Sequence, residues 1–450
     1  MFSIKQHVRR HAAVVAVGAA VLGLTAASQA DIYWNPDQED GFTGNFNNID
    51  PNFDDGIVAD SDSDVVFNGS YDVTVDGDPT SVKTLAVTGN SNKFTGSGNL
   101  TANSFSITGN SNKFTGSGDI TTKAISMNGE SNTFSGSGTI YLKGSNDLSI
   151  TNTGNNSIVS DIKIIPTAGW NGQESGLTPL KVNDGVLTIN NFTMSQYGTL
   201  RKLGNGILKI DGTLDTTANN ANYSYMAHTF DVAEGTVILS GTNYVGGAAK
   251  VAPDATLSGN AVAWVSINSI FDIFGHIAPG DNPIDTDALT SRFGKPGTFT
   301  IHAGEWGGGN KVNLHPGSCL DLDLISAEPG EYDVLQIIHD SGPSTTLNIY
   351  SGTQICINDM SDDGGLVGAY HIITGSNYVI KFNDNTEPLV VGEYYNFFNV
   401  LGLDSAYDYK FQLTSTGIDL IIDPATPIPE PASLGLLGLG AGLLMLRRKR

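Results

Sequence analysis

Positive charge, cysteine and helical periodicity are all scarce in this chain of 450 residues. Lys and Arg together number 23, against 46 Asp and Glu. Seven of the basic residues sit near the termini (Lys5, Arg9, Arg10, Arg447, Arg448, Lys449 and Arg450), so the body is more acidic than the overall charge of −23 suggests. Nucleic acid recognition needs a basic footprint, so nucleic acid is excluded as a partner, and anionic lipid is disfavoured for the same reason. Cys319 and Cys356 are the only cysteines. Two cysteines are too few for a disulfide scaffold, and no zinc-spaced His/Cys cluster appears along the sequence. In an oxidising compartment they pair if their Cα atoms come within about 7 Å; otherwise they remain two buried thiols. No serine-nucleophile elbow is present.

What is abundant is glycine, at 54 residues, together with Asn, Ser, Thr and Asp. That composition points to β-structure with many tight turns. Residues 84–143 hold three copies of a twenty-residue unit without insertions. Phe94, Phe114 and Phe134 align, as do Leu85, Phe105 and Ile125, and Leu100, Ile120 and Ile140. Apolar residues recur two apart within each unit, which is the strand period, and no helical spacing appears. A fixed period of this length predicts a solenoid in which each unit is one turn. Equivalent side chains then stack about 4.8 Å apart. Phenylalanines form one internal ladder, and Asn92, Asn112 and Asn132 form an amide ladder. The aligned glycines at 96/116/136 and 98/118/138 are expected to supply positive φ at the corners. The fold class expected is all-β, a right-handed parallel β-helix.

Less regular strands follow, each introduced by glycine: Gly185–Ile189, Gly206–Ile210, Gly235–Leu239 and Gly297–Ile301. Lys202-Leu203-Gly204-Asn205-Gly206-Ile207-Leu208-Lys209-Ile210-Asp211-Gly212 and Ala233-Glu234-Gly235-Thr236-Val237-Ile238-Leu239-Ser240-Gly241 resemble the autotransporter-associated β-strand repeat family, and Gly275-His276-Ile277-Ala278-Pro279-Gly280 resembles a turn of such passenger domains. The resemblance implies a right-handed β-helix and, usually, adhesion or surface structure.

The termini read as addresses. Lys5, Arg9 and Arg10 precede the apolar stretch from Ala12 to Leu24, and Ser28-Gln29-Ala30 is a small-x-small cleavage site, so a signal peptide ending at Ala30 is expected. The residues around Arg9-Arg10 do not fit the twin-arginine pattern, which favours Sec export. At the other end Pro429-Glu430-Pro431 precedes the uncharged run from Ala432 to Leu446 and the cluster Arg447-Arg448-Lys449-Arg450. As a helix that run reaches only about 22 Å, short of a bilayer core of about 30 Å. This tail resembles the PEP-CTERM sorting signal of Gram-negative-type bacteria. The resemblance implies an exosortase-type partner in the inner membrane, cleavage near the motif, and delivery to the surface or extracellular matrix. The membrane then enters only through the signal peptide and the C-terminal span. The expected organisation is a signal peptide (1–30), an N-terminal β cap (31–75), twenty-residue repeats (76–165), degenerate coils (166–301), terminal coils or a small β domain (302–422), and the proline linker with the sorting signal (423–450).

Candidate chemistry is sparse. Asp60, Asp62 and Asp64 alternate as in a calcium loop, but Val65 and Tyr71 stand where an EF-hand needs Gly and Glu. They are retained as a calcium candidate beside the plainer reading of an acidic surface turn; no other cofactor is expected. Asp321 and Asp323 would share one strand face, and a glycosidase needs paired carboxylates. The histidines of the body are scattered, and Gly307-Gly308-Gly309 lacks the strand-to-helix setting of a phosphate loop. No catalytic residue is nominated. The expected function is an exported structural or adhesive protein of the surface or matrix, with extracellular polysaccharide as a candidate partner. The alternatives are a β-helix polysaccharide lyase or glycoside hydrolase, and a non-catalytic carbohydrate-binding protein.

Overall fold

The computed structural model describes residues 32–34, 42–45, 61, 64–75, 80–144, 148–166, 176–194, 198–216, 229–280, 295–303, 309–340, 345–361, 365–383 and 389–425. Among these residues every regular element is a strand and there is no helix. The fold is all-β, and most of its strands pair in parallel.

Each twenty-residue unit contributes to three rows of strands. In the first row Ala124–Asn128 lies between Leu100–Thr108 and Ser149–Thr153, with Ile125 opposite Phe105 and Ile150. In the second, Phe114 stands opposite Phe94 and Phe134. In the third, Ile140 stands opposite Ile120 and Ile162. Strand alternation turns every second side chain inward, and the inward positions are the apolar ones. Phe94, Phe114 and Phe134 are almost fully buried. Their rings stack at centroid distances of 4.4 Å and interplanar angles of 8° and 12°. Burial is worth about 1.5–3 kcal/mol for each ring, and stacking adds about 0.5–1.5 kcal/mol per pair.

The asparagine ladder forms as well. Asn92, Asn112 and Asn132 are fully buried. Asn92 Nδ2 donates to Asn112 Oδ1 at 2.8 Å, Asn112 Nδ2 to Asn132 Oδ1 at 2.9 Å, and Asn132 Nδ2 to Asn156 Oδ1 at 2.9 Å. Each of these oxygens also accepts the backbone N–H of the preceding asparagine. An amide carries two donors and a two-lone-pair acceptor, and this geometry pairs groups that would otherwise be costly to bury.

The aligned glycines work differently from expectation. Among them only Gly96 has a positive φ, at 105°. Gly116, Gly118, Gly136 and Gly138 are needed because successive units pass too close for a side chain. A Cβ on Gly118 would lie 2.0 Å from the Gly98 carbonyl oxygen, and one on Gly138 would lie 2.1 Å from that of Gly118. Left-handed geometry falls instead on Ser91, Ser111 and Ser131, at φ 59°, 59° and 60°.

Parallel pairing extends backwards from the repeats, with Ile32–Trp34 against Asp64–Phe67 and Phe42–Asn45 against Tyr71–Thr74. It extends forwards to Tyr378–Phe382 and Asn399–Leu401. The pattern then reverses. Gly417–Pro424 runs antiparallel to both Gly368–Ser376 and Tyr407–Leu413, and Tyr394–Tyr395 runs antiparallel to Tyr407–Leu413.

Candidate functional site

Of the calcium, sorting and cleavage residues singled out in the sequence, Asp64 lies among the described residues. Its Oδ1 accepts from the Thr84 hydroxyl at 2.6 Å and its Oδ2 from the Lys83 ammonium at 2.9 Å. The Thr84 hydrogen bond lowers its pKa, and Lys83 adds to this against the opposing effect of burial. The carboxylate thus joins neighbouring strands. Asp60, Asp62, Ala30, Pro429, Glu430, Pro431, Arg447, Arg448, Lys449 and Arg450 lie outside the described residues, as does the apolar run before the basic cluster.

An outward aromatic row stands on the later strands. Tyr244, Trp264 and His302 occupy successive register positions in Gly235–Val251, Ala255–Ile273 and Thr298–Ala303. Their neighbours Ala263 and Ile301 are buried, so alternation sends the three rings outward. Tyr244 and Trp264 stack at 6.3 Å, and His302 lies 3.5 Å from Trp264. Asp215 stands opposite Tyr244, and Asp340 Oδ1 is 2.7 Å from His302 Nε2. The row presents ring surface along three successive strands, with Asp340 engaged by His302 at one end.

A second cluster surrounds the cysteines. Cys319 and Cys356 form a disulfide with Cα atoms 6.2 Å apart. Strand Cys319–Leu324 is buried on both faces. Leu320, Leu322 and Leu324 take one side; Cys319, Asp321 and Asp323 take the other. His276 stands opposite Cys319, and Cys356 opposite Asp321. His276 Nδ1 lies 2.9 and 3.1 Å from the two Asp321 oxygens. Asn358 donates to Asp323 Oδ1 at 2.8 Å. Nearby, Asp333 accepts backbone N–H groups from Gly297 at 2.7 Å and Asp323 at 2.8 Å. Burial pushes the Asp333 carboxyl up to about 8; the charges of Asp323 and Asp321 add to this, and the two N–H groups pull the other way. Asp321 and Asp323 do share a strand face, but at 0% and 1% exposure neither presents a carboxylate to a polymer.

One buried residue gave no functional signal in sequence. Lys202 sits in an inward position between Leu180 and Val232 and is fully buried. Its ammonium donates to the Gly204 carbonyl at 2.6 Å and the Glu234 carbonyl at 3.0 Å. Burial pulls its pKa down to about 7, and the Glu234 charge pulls the other way. His276, Cys356 and Asp333 were likewise not linked to Asp321 and Asp323, because strand register brings them together from distant positions.

No curated protein matches the chain. Residues 427–450 match the PEP-CTERM protein-sorting motif. That motif marks an exported protein whose C-terminal signal is recognised and processed by an exosortase.

Proposed function

We propose that the chain forms a right-handed parallel β-helix, built in part of autotransporter-associated β-strand-type repeats, and serves as a structural or adhesive element of the cell surface or extracellular matrix. The observation that carries this reading is the joining of a sorting tail to a body of stacked parallel strands. Support for the winding comes from the constant offset of 20 residues between paired positions of the repeats. A matrix role predicts that replacing Pro429, Glu430 and Pro431 by alanine leaves tail-bearing protein in the membrane fraction and depletes the matrix. Intact-mass measurement of both fractions reads this directly; matrix delivery unchanged by the triple substitution overturns it.

A second reading is favoured by the Tyr244, Trp264 and His302 row: a non-catalytic carbohydrate-binding protein. Trp264→Ala is expected to lower retention on insoluble matrix polysaccharide while leaving the circular dichroism spectrum unchanged. In the proposed function the body is not an enzyme. Release of reducing ends or unsaturated products from acidic polysaccharides, with or without calcium, would overturn that part.

A further inference from the structure

Three potential ligands from two strands, His276, Cys319 and Asp321, meet on the outer side of one row, and Cys356 on a third strand is bonded to one of them. His276 begins His276–Pro279; Cys319 stands opposite it, Asp321 follows two residues on, and Cys356 stands opposite Asp321. One donor atom each from His276, Cys319 and Asp321 lies within 4.8 Å of the others. The Cys356 sulfur is bonded to that of Cys319. Asp321 is fully buried, whereas the His276 side chain is 24% exposed and opens the cluster to solvent.

The oxidation state of the sulfurs decides what this cluster can hold. Thiolate is the metal-binding form of cysteine, and the bonded sulfurs of a disulfide carry no such charge. We propose that reduction of the Cys319–Cys356 bond converts the cluster into a four-donor site for a thiophilic divalent cation of the zinc class. A dithiol reductant supplies two electrons and two protons, is itself oxidised to a disulfide, and leaves two thiols. Binding of the cation then displaces both thiol protons and forms two metal–sulfur bonds. The imidazole of His276 and the carboxylate of Asp321 complete the set.

The geometry and chemistry fit that cation. Zinc takes four ligands from Cys, His and carboxylate in a tetrahedron. Two thiolates at about 2.3 Å from one zinc lie roughly 3.8 Å apart. The separation of 6.2 Å between the Cys319 and Cys356 Cα atoms leaves side-chain rotation to supply that spacing. The cation would also place two positive charges against the buried Asp321 carboxylate and the two new thiolates. In either state the same pair of strands, Cys319–Leu324 and Gln354–Asp359, is clamped: by a covalent bond when oxidised and by a metal when reduced.

The test uses Co2+ as the probe. Purified protein is reduced with a phosphine, freed of reductant without air, and titrated with Co2+. The expected result is one cobalt per chain, with a thiolate-to-cobalt charge-transfer band in the near ultraviolet and the visible bands of a four-coordinate ion. Untreated, oxidised protein shows neither. His276→Ala, with two thiols still titratable, weakens binding at least about tenfold. Reduced protein that keeps its β-type circular dichroism but develops no charge-transfer band overturns the proposal, and so does His276→Ala binding cobalt as tightly as the parent. If reduction itself abolishes the β signal, Zn2+ must restore it; failure to do so also overturns the proposal.

Discussion

The repeats between residues 80 and 144 and the strands between 176 and 359 follow one pairing rule but are stabilised in different ways. In the first region every unit is held by the same things: a stacked phenylalanine, an asparagine bonded to the next asparagine, and a backbone approach that admits only glycine. In the second, single placements take over. Lys202 occupies an aliphatic column, a disulfide joins two strands, and Asp333 ties the Asp323 strand to Gly297. Stability in the first is a sum of similar neighbour interactions. In the second it is concentrated in a few residues, each with its own chemistry and its own response to pH or reductant.

The sharpest way to break this comparison is to cut the ladder. Asn112→Ala removes the acceptor for both the backbone N–H and one side-chain N–H of Asn92. Two orphaned buried donors plus a small cavity predict a loss of about 4–5 kcal/mol. Guanidinium unfolding reads it. If the regions are separable, the transition splits and only the first component moves; a single transition shifted as a whole would join them energetically.

Next in size is the double substitution Cys319→Ser with Cys356→Ser. The bond closes a loop with a sequence separation of 37. Loop-closure entropy predicts a loss of about 3–4 kcal/mol on its removal. The loss should appear in the component that Asn112→Ala leaves in place. Equal effects on both components would erase the distinction drawn here.

Lys202→Met tests whether a buried charge separates the regions by pH. The folded pKa of Lys202, about 7, lies below the ordinary value of 10.5. Between those values the unfolded chain holds more protons at this site, so its contribution to stability rises with pH and is lowest below 7. The advantage of Lys202→Met over the parent should therefore be greatest below pH 7 and fall towards pH 10.5, by at most about 1.4 kcal/mol per pH unit. Asp333 has the opposite sign, losing stability as pH rises from 3.8 towards about 8, but that contribution is present in both proteins and cancels in their difference. A pH-independent difference in melting temperature would remove Lys202 as the cause.

The smallest expected effect sharpens the picture of the repeats. Ser111 holds a positive φ of 59°. Ser111→Gly relieves that conformation at the cost of a more flexible unfolded chain, and a net gain of about 0.5 kcal/mol is expected. Combining it with the equivalent changes at Ser91 and Ser131 should add, because each corner repeats the same geometry. Loss of stability would mean that the serine contributes more than backbone geometry reveals.

These differences also explain what could be read from the sequence. While partners stand 20 residues apart, as Asn92 and Asn112 do, inward and outward positions follow from spacing alone. Phe94, Phe114 and Phe134 were legible for that reason, as was the amide ladder. Later the separation becomes irregular; Ser269 bonds to Asn310 across 41 residues. No spacing then says that His276 faces Cys319 or that Lys202 lies between Leu180 and Val232. The glycine columns were visible, but their cause was not, because crowding by the backbone of the next unit belongs to the stack and leaves no trace within a single unit.

The reversed strand Gly417–Pro424 has a mechanical consequence. It is flanked by Gly368–Ser376 and Tyr407–Leu413, and it ends just before the sorting motif at 427–450. In the proposed surface role, a body held by the chain that follows this strand bears load through it. Tension along its axis is shared across both flanking ladders of hydrogen bonds in shear, so yielding requires many bonds to fail together. The body's grip on its tether would therefore be set by how fast that sheet ruptures under load.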